Sequence, residues 1–187
     1  MSERRLRIVG IPGSLRRASF NRGLLVAAQE VAPADVAIEI LDLAPIPFYN
    51  ADVEDLGLPE AVVELREQIA NADALLLTVP EYNHSYTAVL KNALDWASRP
   101  RPLSALRQKP VALMGAGGGS GTMRAQLAIR PVLACNEAYV MPKPELYIVN
   151  APQRFDAEGN LTDETVRETV RTIVVALAAW TRRLRAD

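Results

Sequence analysis

Short apolar runs alternate with amphipathic segments along the chain. The runs that predict strands lie at residues 6–11, 36–41, 74–79 and 111–115, with a divided last strand at 139–141 and 146–149. Residues 74–79 are apolar on both faces, which is typical of a central parallel strand covered by helices on both sides. The pattern therefore indicates a sheet with its third strand near the middle.

The segments between these strands carry apolar residues at helical spacing. Pro59 followed by Glu60 predicts the start of one helix. Its inward stripe would consist of Val62, Leu65 and Ile69. A last helix is predicted with Thr162 as its N-cap and with acidic residues in its first turn.

Alternating strands and helices predict an α/β fold, with five βα units wound on both faces of one parallel sheet in three layers. Right-handed crossovers leave few topologies, and we expect the doubly wound, flavodoxin-like order 2-1-3-4-5. We expect residues 1–187 to form a single domain, because this length suits one core. In this order strands 1, 3 and 4 are neighbours, so the loops that follow them would share one crevice.

The loop after the first strand is rich in hydroxyl groups and contains an arginine. Ser14, Ser19 and Asn21 can donate hydrogen bonds, and Arg16 can fork onto two oxygens. Backbone N–H groups at a helix start are unpaired and carry partial positive charge, so this loop suits a phosphate. It matches neither the P-loop nor the G-x-G-x-x-G pattern, which favours a phosphate monoester over a pyrophosphate. The alternative is an ordinary polar turn.

The loops after strands 3 and 4 are also unusual. Residues 80–86 bring together tyrosine rings, an amide and backbone N–H groups that can flank a flat heteroaromatic ring. The alternative for this loop is a strand-to-helix turn with Asn83 as a local cap. Residues 115–122 include five glycines, which let the backbone approach a ligand closely. The alternative there is a flexible or strained turn.

Composition narrows the class of protein. The formal net charge of −1 and the pI near 5.9 argue against a nucleic-acid partner. The single cysteine, Cys135, and the single histidine, His84, exclude an internal disulfide and the usual cysteine or histidine metal clusters. No apolar run is long enough to span a membrane and the N-terminus lacks a signal-peptide layout, so we expect a cytoplasmic protein without a membrane partner.

Three stretches together resemble the NADPH-dependent FMN reductase family, which includes quinone, chromate and azo-dye reductases. They are Gly-Ser-Leu-Arg-Arg-x-Ser-x-Asn at 13–21, Pro-Glu-Tyr-Asn at 80–83 and Leu-Lys-Asn-Ala-Leu-Asp-Trp at 90–96. The resemblance implies an FMN phosphate site made of Ser14, Arg16, Ser19 and Asn21, with Phe20 beside them. It implies that the residues lining the isoalloxazine ring are Pro80, Glu81, Tyr82 and Asn83, and that those closing its other side are Gly115, Ala116, Gly117 and Gly118.

The resemblance also implies an FMN-dependent NAD(P)H oxidoreductase. NADPH or NADH would pass a hydride to N5 of FMN, and a quinone or a chromate, azo or nitro compound would then accept electrons, in a ping-pong sequence without a catalytic side chain. Family members are commonly dimers or tetramers, so a homo-oligomer is expected. Thr87-Ala88 stands where the family often has Pro-Gly, which changes the entry to the following helix.

Two other functions suit the same fold. One is a flavodoxin-type electron carrier that binds FMN without a nicotinamide site of its own, although such carriers are typically strongly acidic. The other is a flavin-free binding or signalling module. A receiver domain of that kind needs an acidic pair after strand 1, where this chain has Gly-Ser-Leu-Arg.

A few further residues have both a structural and a functional interpretation. The basic cluster after the third helix consists of Arg99, Arg101 and Arg107. A solvated loop is favoured there over a site for the 2′-phosphate of NADPH. His84 is expected to have a positional or interface role, and Cys135 to be a small buried group on a helix. Trp96 and Trp180 are expected to pack on helix faces or at subunit contacts.

Overall fold

A six-stranded parallel sheet lies at the centre of the fold. The computed structural model describes residues 4–100 and 102–185. The strands are β1 (Leu6–Pro12), β2 (Val36–Ile40), β3 (Ala74–Thr78), β4 (Glu81–Tyr82), β5 (Ser85–Tyr86), β6 (Pro110–Ala116), β7 (Tyr139–Val140) and β8 (Leu146–Ile148). The helices are α1 (Phe20–Glu30), α2 (Ala51–Asp55), α3 (Glu60–Asn71), α4 (Ala88–Ala97), α5 (Met123–Cys135) and α6 (Glu164–Arg185), and a 3-10 turn covers Ala151–Gln153. β4 and β5 form a separate antiparallel hairpin.

The strand order is β2-β1-β3-β6, and β7 and β8 share the position beyond β6. β7 pairs with the amino end of β6, with Pro110 beside Tyr139, and β8 pairs with its carboxyl end, with Met114 beside Leu146. All pairs in this sheet are parallel. The arrangement corresponds to the predicted order 2-1-3-4-5. The sheet has six strands rather than five because the last position is filled by two short strands.

Two apolar cores lie on the two faces of the sheet. Successive residues of a strand point to opposite faces, so Leu76 packs with α1 and α6, whereas Leu75 and Leu77 pack with α3, α4 and α5. All five residues of β3 are buried, which confirms it as the central strand. The predicted stripe of α3 is buried in the second of these cores.

The predicted N-cap of the last helix is wrong by one residue. α6 begins at Glu164, and Asp163 caps it, because its carboxylate accepts the Val166 N–H at 3.1 Å. Thr162 belongs to the preceding turn, where its hydroxyl donates to the carbonyl of Arg154 at 3.1 Å. α6 has 22 residues, yet among the described residues neither it nor another helix is long and apolar enough to cross a bilayer.

The expectation that Cys135 is buried is also wrong. The thiol is exposed at the end of α5. The buried stripe of that helix runs through Ala125, Ile129 and Leu133, and the next position on it falls beyond the helix end. Cys135 therefore lies off the stripe that faces the sheet.

The long loop between β2 and α3 is attached to α4. The Trp96 indole N–H donates to the Pro47 carbonyl at 2.8 Å, and the Asn92 amide donates to the same oxygen at 2.9 Å. The Asn92 side-chain oxygen accepts the Tyr49 N–H at 2.8 Å, and the rings of Tyr49 and Trp96 meet edge-on at 5.0 Å. The stretch at 90–96 thus fastens this loop to the helix, and the expected packing role of Trp96 is confirmed.

Candidate functional site

A cleft opens at the carboxyl edge of the sheet. The residues that line it are Ser14, Arg16, Ser19, Phe20, Asn21, Pro80, Glu81, Tyr82, Ala116, Gly117, Gly118, Ala151 and Pro152. Of these, Ala151 and Pro152 lie outside the set predicted from the sequence. The three loops meet there because β1, β3 and β6 are neighbours in the sheet.

Two residues of the predicted set, Asn83 and Gly115, are not part of the lining. Asn83 and His84 form the central pair of the β4–β5 hairpin, with φ of 52° and 65°, and both side chains are exposed. Positive φ at both central residues is the conformation of a type I′ turn. Gly115 is buried in β6, where an added Cβ would lie 2.1 Å from the Thr122 hydroxyl oxygen. The missing side chain of Gly115 makes room for Thr122.

The first loop ends in the N-cap of α1. Ser19 is buried, has extended backbone angles, and accepts the Arg22 N–H on its hydroxyl oxygen at 3.3 Å. The first N–H groups of a helix have no partner within the helix. Here they belong to Phe20 and Asn21, which both line the cleft. This end of the cleft is therefore suited to an anion.

Arg16 supplies the positive charge of the cleft lining. Its guanidinium lies over the Phe20 ring, 5.0 Å from the centroid, and donates to the Ala18 carbonyl at 2.6 Å. Phe20 packs in turn against Phe155, with the ring centroids 4.9 Å apart. The backbone N–H of Arg16 donates to the Ser14 hydroxyl at 3.2 Å. These contacts hold the Ser14 and Arg16 side chains on the same loop surface.

Asn21 connects the first loop to the segment 116–121, which we call the glycine turn. Its side-chain amide both donates to the Ala116 carbonyl, at 2.9 Å, and accepts the Ala116 N–H, at 3.1 Å. The Asn21 side chain is buried. Its oxygen and one of its two N–H bonds are thus engaged by the protein backbone.

The glycine turn is also fastened to the chain after β8. The Gly117 N–H donates to the Ile148 carbonyl at 3.0 Å, and the Gly117 carbonyl accepts the Ala151 N–H at 2.9 Å. These bonds bring Ala151 and Pro152 to the cleft. A positional signal in the sequence points to them: the last strand ends at the same edge of the sheet as β1, β3 and β6.

Glu81 caps α5 across the cleft floor. Its carboxylate accepts hydrogen bonds from the Ser120 hydroxyl at 2.9 Å and from the side chain and N–H of Arg124 at 2.9 and 3.1 Å. Thr122, at the N-cap position with φ of 75°, makes no side-chain cap bond within the described residues. Burial acts to raise the pKa of Glu81, but the hydrogen bonds from Arg124, Ser120 and Ala125 outweigh it and hold the pKa below its ordinary value.

Thr87 joins the entry of α4 to the first loop. Its hydroxyl donates to the Gly13 carbonyl at 2.6 Å and accepts the Leu90 N–H at 3.3 Å. An added Cβ at Gly13 would lie 2.4 Å from the Pro80 ring. The backbone of the first loop therefore packs directly against the proline ring of the loop after β3. Thr87 thus caps α4 and links this helix to the first loop.

The cleft fits a ligand with an anionic tail and a flat ring. The carboxylate of Glu81, on the loop after β3, is paired with Arg124 at 2.9 Å. One end of the cleft offers hydroxyl, guanidinium and helix N–H donors. The other end offers the half-exposed ring of Tyr82 and the bare backbone of Gly118. An added Cβ at Gly118 would meet no atom within 4 Å, so this backbone is open to a ligand. FMN combines such a tail with such a ring, so the residues present fit this cofactor.

Two residues of the arginine cluster after α4 are engaged away from the cleft. Arg99 lies over the Tyr49 ring at 5.0 Å, and Arg107 pairs with Glu137 at 2.9 Å. Arg101 lies outside the described residues. Trp180 is partly buried against the core that contains α1 and α6.

Known proteins resemble this chain over nearly its whole length. A family profile described as NADPH-dependent FMN reductase matches residues 6–153. An NAD(P)H-dependent FMN reductase of Pseudomonas aeruginosa is 46% identical over 181 residues, which cover 96% of this chain and 97% of that protein. An NADPH:quinone oxidoreductase of Arabidopsis thaliana is 43% identical over 186 residues, which cover 96% of this chain and 93% of that protein.

A solved structure extends the agreement to three dimensions. FerB, a flavoenzyme NAD(P)H:(acceptor) oxidoreductase from Paracoccus denitrificans, has a TM-score of 0.86 and 32% identity, covering 95% of this chain and 98% of its own. These proteins are named as reductases or oxidoreductases, and none of the names is that of a flavodoxin-type carrier. The matched segment 6–153 contains every residue of the cleft lining. The chain therefore belongs to the NADPH-dependent FMN reductase family.

Proposed function

We propose that this chain is an FMN-dependent NAD(P)H oxidoreductase that reduces quinones or similar small acceptors. The observation that carries the proposal is the meeting, in one cleft, of a phosphate-type donor set with an open turn of glycine backbone. Membership of the FMN reductase family and the names of its relatives support this choice of cofactor and acceptor.

The FMN phosphate would be held at the first loop. The oxygens of Ser14 and Ser19 accept backbone N–H groups, and because neither hydroxyl donates to another residue of the described part of the chain, both hydrogens can be offered to a ligand. Arg16 adds a charge-assisted donor, and the start of α1 adds backbone N–H groups. The loop thus presents donors that are already oriented before the ligand arrives.

The isoalloxazine ring would lie between the loop after β3 and the glycine turn. Pro80 and Tyr82 offer apolar surface on one side, and Gly117 and Gly118 offer backbone on the other. The Glu81 carboxylate is directed to α5, so this residue would reach the ring through its backbone. When bound, FMN supplies the hydride chemistry between the nicotinamide and the acceptor. An open cleft lets the two substrates use the same side of the ring in turn, in ping-pong order.

The visible absorption spectrum of the purified full chain tests the proposal. We expect a flavin spectrum that bleaches when NADPH or NADH is added and returns when a quinone is added. A chain that binds no flavin, or whose flavin neither nucleotide bleaches, would overturn the proposal. Initial rates at several quinone concentrations should give parallel double-reciprocal lines, and intersecting lines would contradict the ping-pong order.

The acceptor range and the assembly complete the proposal. Chromate, azo and nitro compounds are proposed as alternative acceptors, to be compared with quinones by their rates.

A homodimer or homotetramer is proposed because Tyr82, Met123 and Leu127 leave apolar surface on adjoining elements. Sedimentation would measure the number of subunits. A cytoplasmic location of the single domain is proposed because a lone, exposed thiol suits a reducing compartment.

A further inference from the structure

The side chain of Asn21 completes the hydrogen bonding of the last residue of β6. Its Nδ2 donates to the Ala116 carbonyl at 2.9 Å, and its Oδ1 accepts the Ala116 N–H at 3.1 Å. Both residues are buried, and they lie 95 positions apart in the sequence. One amide group thus acts as a short piece of strand beside Ala116.

Ala116 needs such a partner because β3 stops before it. The pairing of β3 with β6 ends at Thr78 beside Met114. Alternate residues of a strand direct their N–H and C=O groups to opposite sides, so Ala116 faces the same side as Met114. On that side the chain has reached Pro80, which has no N–H to donate. Asn21 therefore occupies the place of the missing strand.

The same bonds limit what Asn21 can offer a phosphate. An ionised phosphate presents only hydrogen-bond acceptors, so the Asn21 side-chain oxygen, which is also an acceptor, cannot bind it. Of the two amide N–H bonds, one already donates to the Ala116 carbonyl. The side chain is 5% exposed. In contrast, the hydroxyl oxygens of Ser14 and Ser19 accept backbone N–H groups, and neither hydroxyl donates to an acceptor in residues 4–100 or 102–185.

We propose that Asn21 is a positioning residue for the flavin ring. Through Ala116 it sets the place of the glycine turn relative to the first loop, and with it the width of the cleft. This inference rests on the proposed function, and it moves Asn21 from the phosphate to the ring. Phosphate ligands act on FMN alone, whereas a residue that positions the ring site acts equally on FMN and on riboflavin, which has the same ring without the phosphate.

Binding of the two flavins separates these roles. The full chain, freed of bound flavin, is titrated with FMN and with riboflavin, and the quenching of flavin fluorescence is measured. Asn21→Ala is expected to weaken both by about tenfold or more, with their ratio unchanged. Ser14→Ala, the matched phosphate variant, is expected to weaken FMN alone. A loss for Asn21→Ala that is confined to FMN would overturn the inference.

Asn21→Asp provides a second readout that a purely structural role would not move. A carboxylate can accept the Ala116 N–H but cannot donate to its carbonyl, whereas a protonated carboxyl does both, as the amide does. The riboflavin affinity of this variant is expected to rise as the pH falls from about 8 to about 5, while that of the parent chain stays level. Equal pH profiles for the two chains would count against the inference.

Hydrogen exchange distinguishes failure of this inference from failure of the proposed function. In the flavin-free chain, Asn21→Ala should speed exchange of the Ala116 N–H by at least tenfold and leave the amides of β1 and β3 unchanged. If the parent chain binds neither flavin, the proposed function fails. If the Ala116 amide exchanges at the same rate in both chains, the positioning role fails whatever the flavin does.

Discussion

The α-carbon of Gly23 faces the carbonyl of Gly159 so closely that a Cβ added at Gly23 would lie 1.9 Å from that oxygen. Gly23 is the fourth residue of α1, two positions after Asn21, which lines the cleft. A glycine inside a helix costs about 1 kcal/mol relative to alanine, and the close approach of Gly159 explains why it is present. The turn that contains Gly159 therefore packs directly against the backbone at the start of α1.

Gly23→Ala is expected to destabilise the chain by about 1–3 kcal/mol, because the backbone of residue 159 must move to accept the added methyl group. The displacement would also shift the start of α1 and weaken FMN binding. Urea unfolding and flavin titration measure the two effects. Gly119→Ala is the control, because an added Cβ there meets no atom within 4 Å. Similar stabilities for the two variants would contradict the prediction.

Arg16→Ala is expected to weaken FMN by about 1.5–3 kcal/mol, the contribution of a charge-assisted hydrogen bond. Riboflavin affinity should change little, because riboflavin lacks the phosphate that we propose as the partner of Arg16. Arg17→Ala is the comparison, since that side chain is exposed and does not line the cleft. Equal losses for FMN and riboflavin would show that Arg16 acts on the ring instead.

Glu81→Gln is expected to destabilise the chain by about 1 kcal/mol at neutral pH, because the cap of α5 loses its charge. The folded chain holds the pKa of Glu81 below its ordinary value of 4.5, so the ionised group contributes stability above that pH. This contribution is lost as the pH falls through the lowered pKa, and the difference between the two chains should shrink there. Urea unfolding at several pH values measures it, with the exposed Glu67→Gln as control.

Trp96→Phe is expected to cost about 1 kcal/mol, since it removes the indole donor to the Pro47 carbonyl and keeps most of the buried ring. The Asn92 amide still donates to that oxygen, so the loop should stay attached. Because residues 41–59 do not line the cleft, FMN affinity should be unchanged. A large loss of flavin affinity would mean that this loop reaches the flavin in solution.

The apolar pattern predicts the sheet well because burial on two faces leaves a clear signal. Residues 74–79 show it for β3, and the neighbouring strands then place three loops at one edge. The β4–β5 hairpin leaves no such signal, since each strand has two residues and its turn depends on positive φ at Asn83 and His84. That turn moves Asn83 away from the cleft that its sequence motif predicts.

Other details depend on contacts between distant residues. Thr162 and Asp163 are both residue types that favour the N-cap position. Asp163 caps α6 because the Thr162 hydroxyl donates a hydrogen bond to the carbonyl of Arg154 instead. Ala151 and Pro152 have unremarkable side chains, and the backbone bonds between Gly117 and its neighbours bring them to the cleft. Residue type alone does not reveal such bonds.

The cleft lining is assembled from segments that lie between residues 14 and 152. An unfolded chain cannot present these segments together, so FMN would bind the native state and not the denatured one. Saturation should therefore raise the melting temperature, by the equivalent of about 2.7 kcal/mol at a free concentration one hundred times the dissociation constant. The concentration of FMN in the cell would then affect the fraction of this protein that is folded, and with it the amount that escapes proteolysis.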